Sequence, residues 1–130
     1  MTKDRAVHVC VPVCEKDLNA LENACERAVE WADVVELRLD CLDGRLEDVS
    51  RIVSNLSRPV ILTFRPAEQG GYRKLTREVR EAFWGNEATR GEAVWWDLEA
   101  DVAQDVSPDW SHIIISHHAD HQYRFGSASE

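Results

Sequence analysis

The pattern of apolar and polar positions switches repeatedly between a period of two and a helical period. Val7 to Val13 has Val at every second position, which predicts a strand, and Glu15 to Ala32 has apolar residues at helical spacing. Four further strands are predicted at 34–40, 60–65, 94–99 and 113–118. Strands separated by helices predict parallel pairing through right-handed crossovers.

The connections between the later strands have weaker helical signals. Apolar positions from Leu46 to Leu56 predict a second helix. Thr76 is placed to cap a third, whose apolar positions are Val79, Ala82 and Phe83. The stretch from Ala100 to Ser111 has room for one or two turns of helix only.

Four consecutive strands combine one apolar face with a second face that turns polar toward the C-terminal end. The polar faces hold Glu36, Arg38 and Asp40, then Thr63 and Arg65, then Asp97 and Glu99, then Ser116 and His118. A doubly wound sheet is covered by helices on both faces, so its strands are apolar throughout. A barrel directs one face inward and places its chemistry at the C-terminal strand ends. We therefore favour a (β/α) barrel, or part of one, with a shared site at that rim over separate solvent-facing charges.

Composition indicates one globular domain with an acidic surface. The 130 residues are 44% hydrophobic and 30% charged, with a formal net charge of −9. We expect a single α/β domain over 1–125 and a flexible tail over 126–130. The charge argues against nucleic acid or an anionic membrane as a partner. No apolar run could span a bilayer, and no signal-peptide pattern is visible, so we expect a cytoplasmic location.

Metal, nucleotide and nucleophile motifs give little signal. Four cysteines, at positions 10, 14, 25 and 41, lack a CxxC spacing. We interpret them as small buried thiols, with a zinc site or a disulfide as alternatives. His112, His117, His118 and His121 form a loose cluster, but adjacent His117 and His118 point to opposite faces of a strand, so we predict no metal. There is no P-loop, GxGxxG or GxSxG motif.

Five stretches, taken in order, are similar to those of a known enzyme family. They are Val35-Glu-Leu-Arg-Leu-Asp40, Pro59-Val-Ile-Leu-Thr-Phe-Arg65, Gln69-Gly-Gly71, Asp97-Leu-Glu99 and Ile115-Ser-His-His118. The chain resembles the N-terminal part of type I 3-dehydroquinate dehydratase, the Schiff-base lyase of the shikimate pathway. The resemblance implies a (β/α)8 barrel, of which this chain would hold the first five strands. It also implies dehydration of 3-dehydroquinate to 3-dehydroshikimate.

The resemblance also assigns roles to matching positions. A family lysine forms an imine with the substrate ketone, and a histidine that matches His118 moves the proton of the adjacent carbon. Substrate-binding residues match Glu36, Arg38 and Arg65; the supporting acidic pair matches Asp97 and Glu99. Gln69 stands where the family usually has a glutamate that supports the histidine. We expect no cofactor.

The imine-forming lysine of the family follows the matching histidine, on the sixth strand. This chain has only Lys3, Lys16 and Lys74. We therefore expect it to be incomplete, or inactive alone, and to associate with a second copy or a complementing C-terminal half. The alternative is a non-catalytic half-barrel module that binds a small carboxylate or self-assembles.

Overall fold

Each strand of the sheet lies beside the strand that precedes it in the chain. The computed structural model describes residues 7–43, 46–106 and 111–118. It contains one sheet of five parallel strands in the order β1 to β5. The strands are β1 Cys10–Val13, β2 Val34–Arg38, β3 Val60–Thr63, β4 Val94–Glu99 and β5 Ile113–Ser116. This sequential order is that of a barrel segment, and it confirms the predicted α/β class.

Short helices connect the strands. They are α1 Leu18–Ala28, α2 Val49–Asn55, α3 Arg77–Ala82 and α4 Ala100–Val106. Side chains cap two of them. Thr76 accepts from the Val79 N–H at 3.1 Å, as predicted, and Asp17 accepts from the Ala20 N–H at 2.8 Å. No helix in the described ranges is long and apolar enough to cross a membrane.

Four of the five strands are shorter than the sequence pattern predicts, whereas β4 has the predicted bounds. β1 begins at Cys10 and not at Val7, and β2 ends at Arg38, where Leu39–Cys41 forms a 3-10 turn. The Leu42 N–H bonds to the Leu39 carbonyl at 3.1 Å, so the chain leaves the ladder there. β3 likewise ends at Thr63 and β5 at Ser116. Three polar residues predicted at strand ends, Asp40, Arg65 and His118, therefore lie two residues past their strands.

The buried face of α3 differs from the prediction. Val79 is 49% exposed and Ala82 is also exposed, whereas Arg80 is only 2% exposed. Phe83, in a π-helical turn after the helix, is buried. The assignment of Phe83 is confirmed, whereas that of Val79 and Ala82 is wrong, because α3 packs beside the buried carboxylate of Glu99, which needs a counter-charge.

The apolar core lies between the helices and one face of β2, β3 and β4. Its largest members from the sheet include Leu37, Leu62, Phe64, Trp96 and Leu98. On the same face of β5, Ile115 is 58% exposed. Within the described residues, β1 pairs with β2 alone and β5 with β4 alone, so both present an edge.

Two cysteines form a disulfide, which corrects the prediction of buried thiols. Cys14 follows β1 and Cys41 follows β2, and their Cα atoms lie 5.4 Å apart. The register pairs Val13 with Leu37, so the loops that leave the two strands meet. The other two cysteines are unpaired; Cys25 is buried as predicted, but Cys10 is exposed.

Candidate active site

Polar side chains from β2 to β5 collect at the carboxyl edge of the sheet. The register pairs Arg38 with Thr63, Thr63 with Asp97, and Glu99 with Ser116. Asp40 and Arg65 stand two residues past β2 and β3, and His118 stands two residues past β5. Parallel strands end at one edge, so this arrangement forms a common rim.

Arg38 is held by a buried carboxylate. Its Nε and Nη2 donate to the two oxygens of Asp40 at 3.3 and 3.0 Å. Asp40 is fully buried and also accepts the backbone N–H of Tyr72 at 2.9 Å and of Arg65 at 3.4 Å. The guanidinium is therefore fixed by a carboxylate that the chain itself positions.

The two glycines after β3 explain how Tyr72 reaches Asp40. Gly70 adopts a left-handed backbone with φ of 93°. A Cβ on Gly71 would lie 1.9 Å from the carbonyl oxygen of Arg65, so only glycine fits this close approach. The pair lets the loop fold back on the rim and places the next N–H on the carboxylate.

Hydroxyl groups on neighbouring strands orient two of the rim carboxylates. Thr63 donates to Glu36 at 2.6 Å, and Ser116 donates to Asp97 at 2.6 Å. Each hydroxyl lies on the strand that follows its carboxylate in the sheet. These contacts restrict the carboxylates to one orientation and leave their other oxygens for further partners.

Arg65 lies between two carboxylates of β4. Its Nε donates to Glu99 at 3.4 Å, and its Nη2 lies 3.1 Å from Asp97. Glu99 is fully buried, and Arg80 donates to its other oxygen at 3.2 Å. Burial raises the pKa of Glu99, while Arg65 and Arg80 act in the opposite direction.

His118 has a partly buried ring that favours the neutral form. Burial lowers its pKa, and the positive charge of Arg65 lowers it further, while Asp97 opposes the change. Its Nε2 is buried and has no hydrogen-bond partner among the described residues. A neutral imidazole with a free nitrogen can accept a proton at neutral pH.

Gln69 contacts a carboxylate outside the predicted set. Its amide Nε2 donates to Asp101 at 3.3 Å. The pKa of Asp101 is lowered to about 2, chiefly by the hydrogen bond from Arg80. Support of His118 by Gln69 stays a prediction, because the contact seen for this amide is with α4.

Sequence reasoning gave no role to Arg80, Thr63 or Ser116. The two hydroxyl residues carried a usable signal, since they occupy the polar face of their strands beside a carboxylate. Arg80 carried none, because helical periodicity placed Val79 and Ala82 on the buried face instead.

The histidine cluster does not assemble into a metal site among the residues described. No three His, Cys, Asp or Glu side chains in those ranges could share an ion. The ring of His112 stacks on Trp95, with a centroid distance of 4.6 Å. His121 lies outside the described residues.

Comparison with known proteins gives a consistent result. The type I 3-dehydroquinase family model matches residues 9–124. The 3-dehydroquinate dehydratase of Methanococcus maripaludis strain S2 is 30% identical over 95 residues, which cover 70% of this chain and 40% of the relative.

Solved structures show the same fold. The 3-dehydroquinate dehydratase of Enterococcus faecalis has a TM-score of 0.71 at 20% identity, covering 85% of this chain and 53% of that one. The type I enzyme of Clostridium difficile, solved with covalently modified comenic acid, has a TM-score of 0.65 at 20% identity, covering 76% and 42%. This chain thus spans about half the length of these proteins or less. It belongs to the type I 3-dehydroquinase family.

Proposed function

We propose that this chain carries the substrate-binding and proton-transfer part of a 3-dehydroquinate dehydratase. The reaction would be the dehydration of 3-dehydroquinate to 3-dehydroshikimate by a Schiff-base mechanism, in the shikimate pathway. The observation that carries the proposal is that Arg38, Arg65 and His118 share one rim with oriented carboxylates, in a chain of this family.

The rim residues divide into binding groups and a base. Arg38 and Arg65 would hold the substrate carboxylate and hydroxyls through their planar forks. Glu36 and Asp97, supported by Glu99, would accept hydroxyl hydrogens. His118 would remove a proton from the carbon beside the imine and return it to the departing hydroxyl, which leaves as water. The imine acts as the electron sink for the intermediate carbanion.

We infer that no lysine of this chain forms the imine. Lys16 and Lys74 are exposed loop residues, and Lys3 lies outside the described residues. Incubation with 3-dehydroquinate and borohydride, followed by mass spectrometry, is expected to give no covalent adduct. An adduct on any of these three lysines would contradict the inference and assign the imine to this chain.

Substrate binding can be tested without turnover. Calorimetric titration should show 3-dehydroquinate binding to the chain. Arg65→Lys should weaken it by about tenfold or more, since loss of a charge-assisted hydrogen bond costs about 1.5–3 kcal/mol. Arg58→Lys is the matched control, because Arg58 lies before β3 and donates to the Ala32 carbonyl. Equal affinity of the Arg65→Lys protein and the wild type would remove Arg65 from the site.

A second candidate is a half-barrel module completed by another polypeptide. The two sheet edges favour this candidate. Two exposed apolar side chains also favour it: Trp31, which follows α1 and is 77% exposed, and Ile115 on β5. Unpaired strand edges and exposed apolar groups promote pairing. The partner would be a second copy or a complementing C-terminal half.

Light scattering tests whether the partner is a second copy of this chain. A dimeric mass at micromolar concentration supports self-association, and a monomeric mass contradicts it. A ligand that raises the melting temperature without any turnover, even with a complementing half present, would favour the non-catalytic module.

Location in the cytoplasm stays a prediction. Disulfides such as Cys14–Cys41 are more typical of proteins in oxidising compartments.

A further inference from the structure

Arg80 is a buried cation to which the proposed reaction gives no task. Its Nη1 donates to Glu99 at 3.2 Å and to Asp101 at 3.2 Å, and its Nη2 donates to Asp101 at 2.8 Å. Burying a guanidinium is unfavourable unless it is paired and hydrogen-bonded. Its position on α3 therefore depends on the two carboxylates at the end of β4 and the start of α4.

Glu99 in turn depends on two guanidiniums. It is fully buried; Oε1 accepts from Arg80 and Oε2 accepts from Arg65. β5 presents the uncharged Ser116 in register, and Asp97 and Asp101 on the same stretch of chain share Arg65 and Arg80. Desolvation raises the pKa of Glu99, and among the described residues Arg65 and Arg80 are the main groups that oppose this rise.

An ionised Glu99 determines where Arg65 points. By accepting from Nε, it holds one side of the guanidinium in the buried layer. Nη2 then lies 3.1 Å from Asp97, and its hydrogens have no hydrogen-bond acceptor of good geometry among the described residues. That nitrogen is buried, so Glu99 and Asp97 together fix the direction of the guanidinium at the rim.

We propose that Arg80 is a positioning residue, which holds Glu99 so that Glu99 in turn orients Arg65 toward an anionic or hydroxyl-bearing ligand at the rim. The identity of the ligand rests on the proposed function, whereas the chain of contacts from Arg80 through Glu99 to Arg65 does not. Among the described residues, the hydrogen bonds and ion pairs of the Arg80 side chain are with Glu99 and Asp101.

Arg77, on the same helix, supplies a matched control. It is exposed, and it contacts Glu81, Asp105 and the Asp101 carbonyl oxygen. Like Arg80, it links α3 to α4, but no contact joins it to Glu99. Replacing Arg77 therefore removes a helix–helix contact of the same chemical type without touching the path to Arg65.

The test compares Arg80→Met, Arg80→Lys and Arg77→Met in the full chain. Carbon-13 labelling of the glutamate carboxyl groups reports the titration of Glu99, and nitrogen-15 labelling reports the Arg65 Nε–H resonance. In the Met variant at position 80, we expect Glu99 to protonate at higher pH than in the wild type, and the Arg65 resonance to move with the same midpoint. The Lys variant retains the charge without the fork, so its midpoint should fall between the two. Arg77→Met should match the wild type.

Ligand affinity gives the functional readout. The Arg80→Met variant should bind 3-dehydroquinate about tenfold more weakly than the wild type does at pH values below the variant's own Glu99 titration midpoint. Above that midpoint, its affinity should recover. A purely structural defect would weaken binding equally at every pH, and that result would overturn the proposal. So would a Glu99 midpoint equal to the wild type in Arg80→Met or, if that variant does not fold, in Arg80→Lys. If the wild type binds no 3-dehydroquinate, the proposed function fails, and the two resonances alone decide the role of Arg80.

Discussion

The two ends of the rim hold their arginines by different means. At the first end, Arg38 is fixed by Asp40, whose other partners are backbone N–H groups. Cys41, the residue after Asp40, is joined to Cys14 in the loop after β1 by a disulfide. At the second end, Arg65 is fixed by Glu99, whose other partner is the buried cation of Arg80.

This difference predicts different vulnerabilities. Asp40 receives neutral donors that depend on the course of the chain, so its surroundings should respond to reduction of the disulfide. Glu99 is balanced chiefly by the charges of Arg65 and Arg80, and removing one member of a buried ionic group leaves the others uncompensated. The first end should therefore be sensitive to reductant, and the second to charge changes and to pH.

The largest effect is expected at the second end. Glu99→Leu leaves Arg65 and Arg80 facing each other in a buried layer, and should lower the free energy of unfolding by about 3–5 kcal/mol. Denaturant titration measures it, with Glu26→Leu on the exposed side of α1 as the control. A loss similar to that of the control would show that the two cations are held by other partners.

Removal of the disulfide should come next. Replacing both Cys14 and Cys41 by Ser opens a loop with a sequence separation of 27 residues and should cost about 3.5 kcal/mol. Cys10→Ser, at an exposed unpaired thiol, serves as the control. Thiol titration of the unfolded wild type should find two reactive groups before reduction and four after it. Four groups before reduction would contradict the disulfide.

A smaller effect with a defined pH window is expected at Asp101. Its folded-state pKa of about 2 lies below the ordinary value of 3.8, so its stabilisation is complete above that ordinary value and is lost as the pH falls toward 2. Because its side chain is partly exposed, the contribution should be only about 1 kcal/mol. The charge-dependent part of the stability difference between wild type and Asp101→Asn should shrink as the pH falls from about 4 and disappear only below pH 2. A difference independent of pH would show that packing, not charge, is responsible.

The fold was predictable to the extent that it follows from periodicity. Alternation along 34–40, 60–65 and 94–99 places the apolar face under the helices, and Leu37, Leu62 and Leu98 are buried there. Strand ends were overestimated, because the pattern continues through Asp40 and Arg65 after the ladder has stopped. Local sequence cannot show where a backbone N–H changes its partner.

The site was predictable in its strand residues and not in its cross-element contacts. Period-two alternation brought Arg38, Asp97 and the other strand residues to one edge. Arg80 was missed because its burial depends on Glu99, which is 19 residues away. The disulfide is likewise not visible in the local sequence, since it depends on the register of β1 on β2.

We expect the polar groups at the carboxyl ends of β2 to β5 to form one binding site. The most direct measurement is a titration of the labelled chain with 3-dehydroquinate, following the Arg38 and Arg65 Nε–H resonances and the His118 ring resonances. All three sets of resonances should shift along one saturation curve, while the Arg58 resonance stays in place. Shifts with separate midpoints, or no shift at any of the three while the chain remains folded, would contradict it.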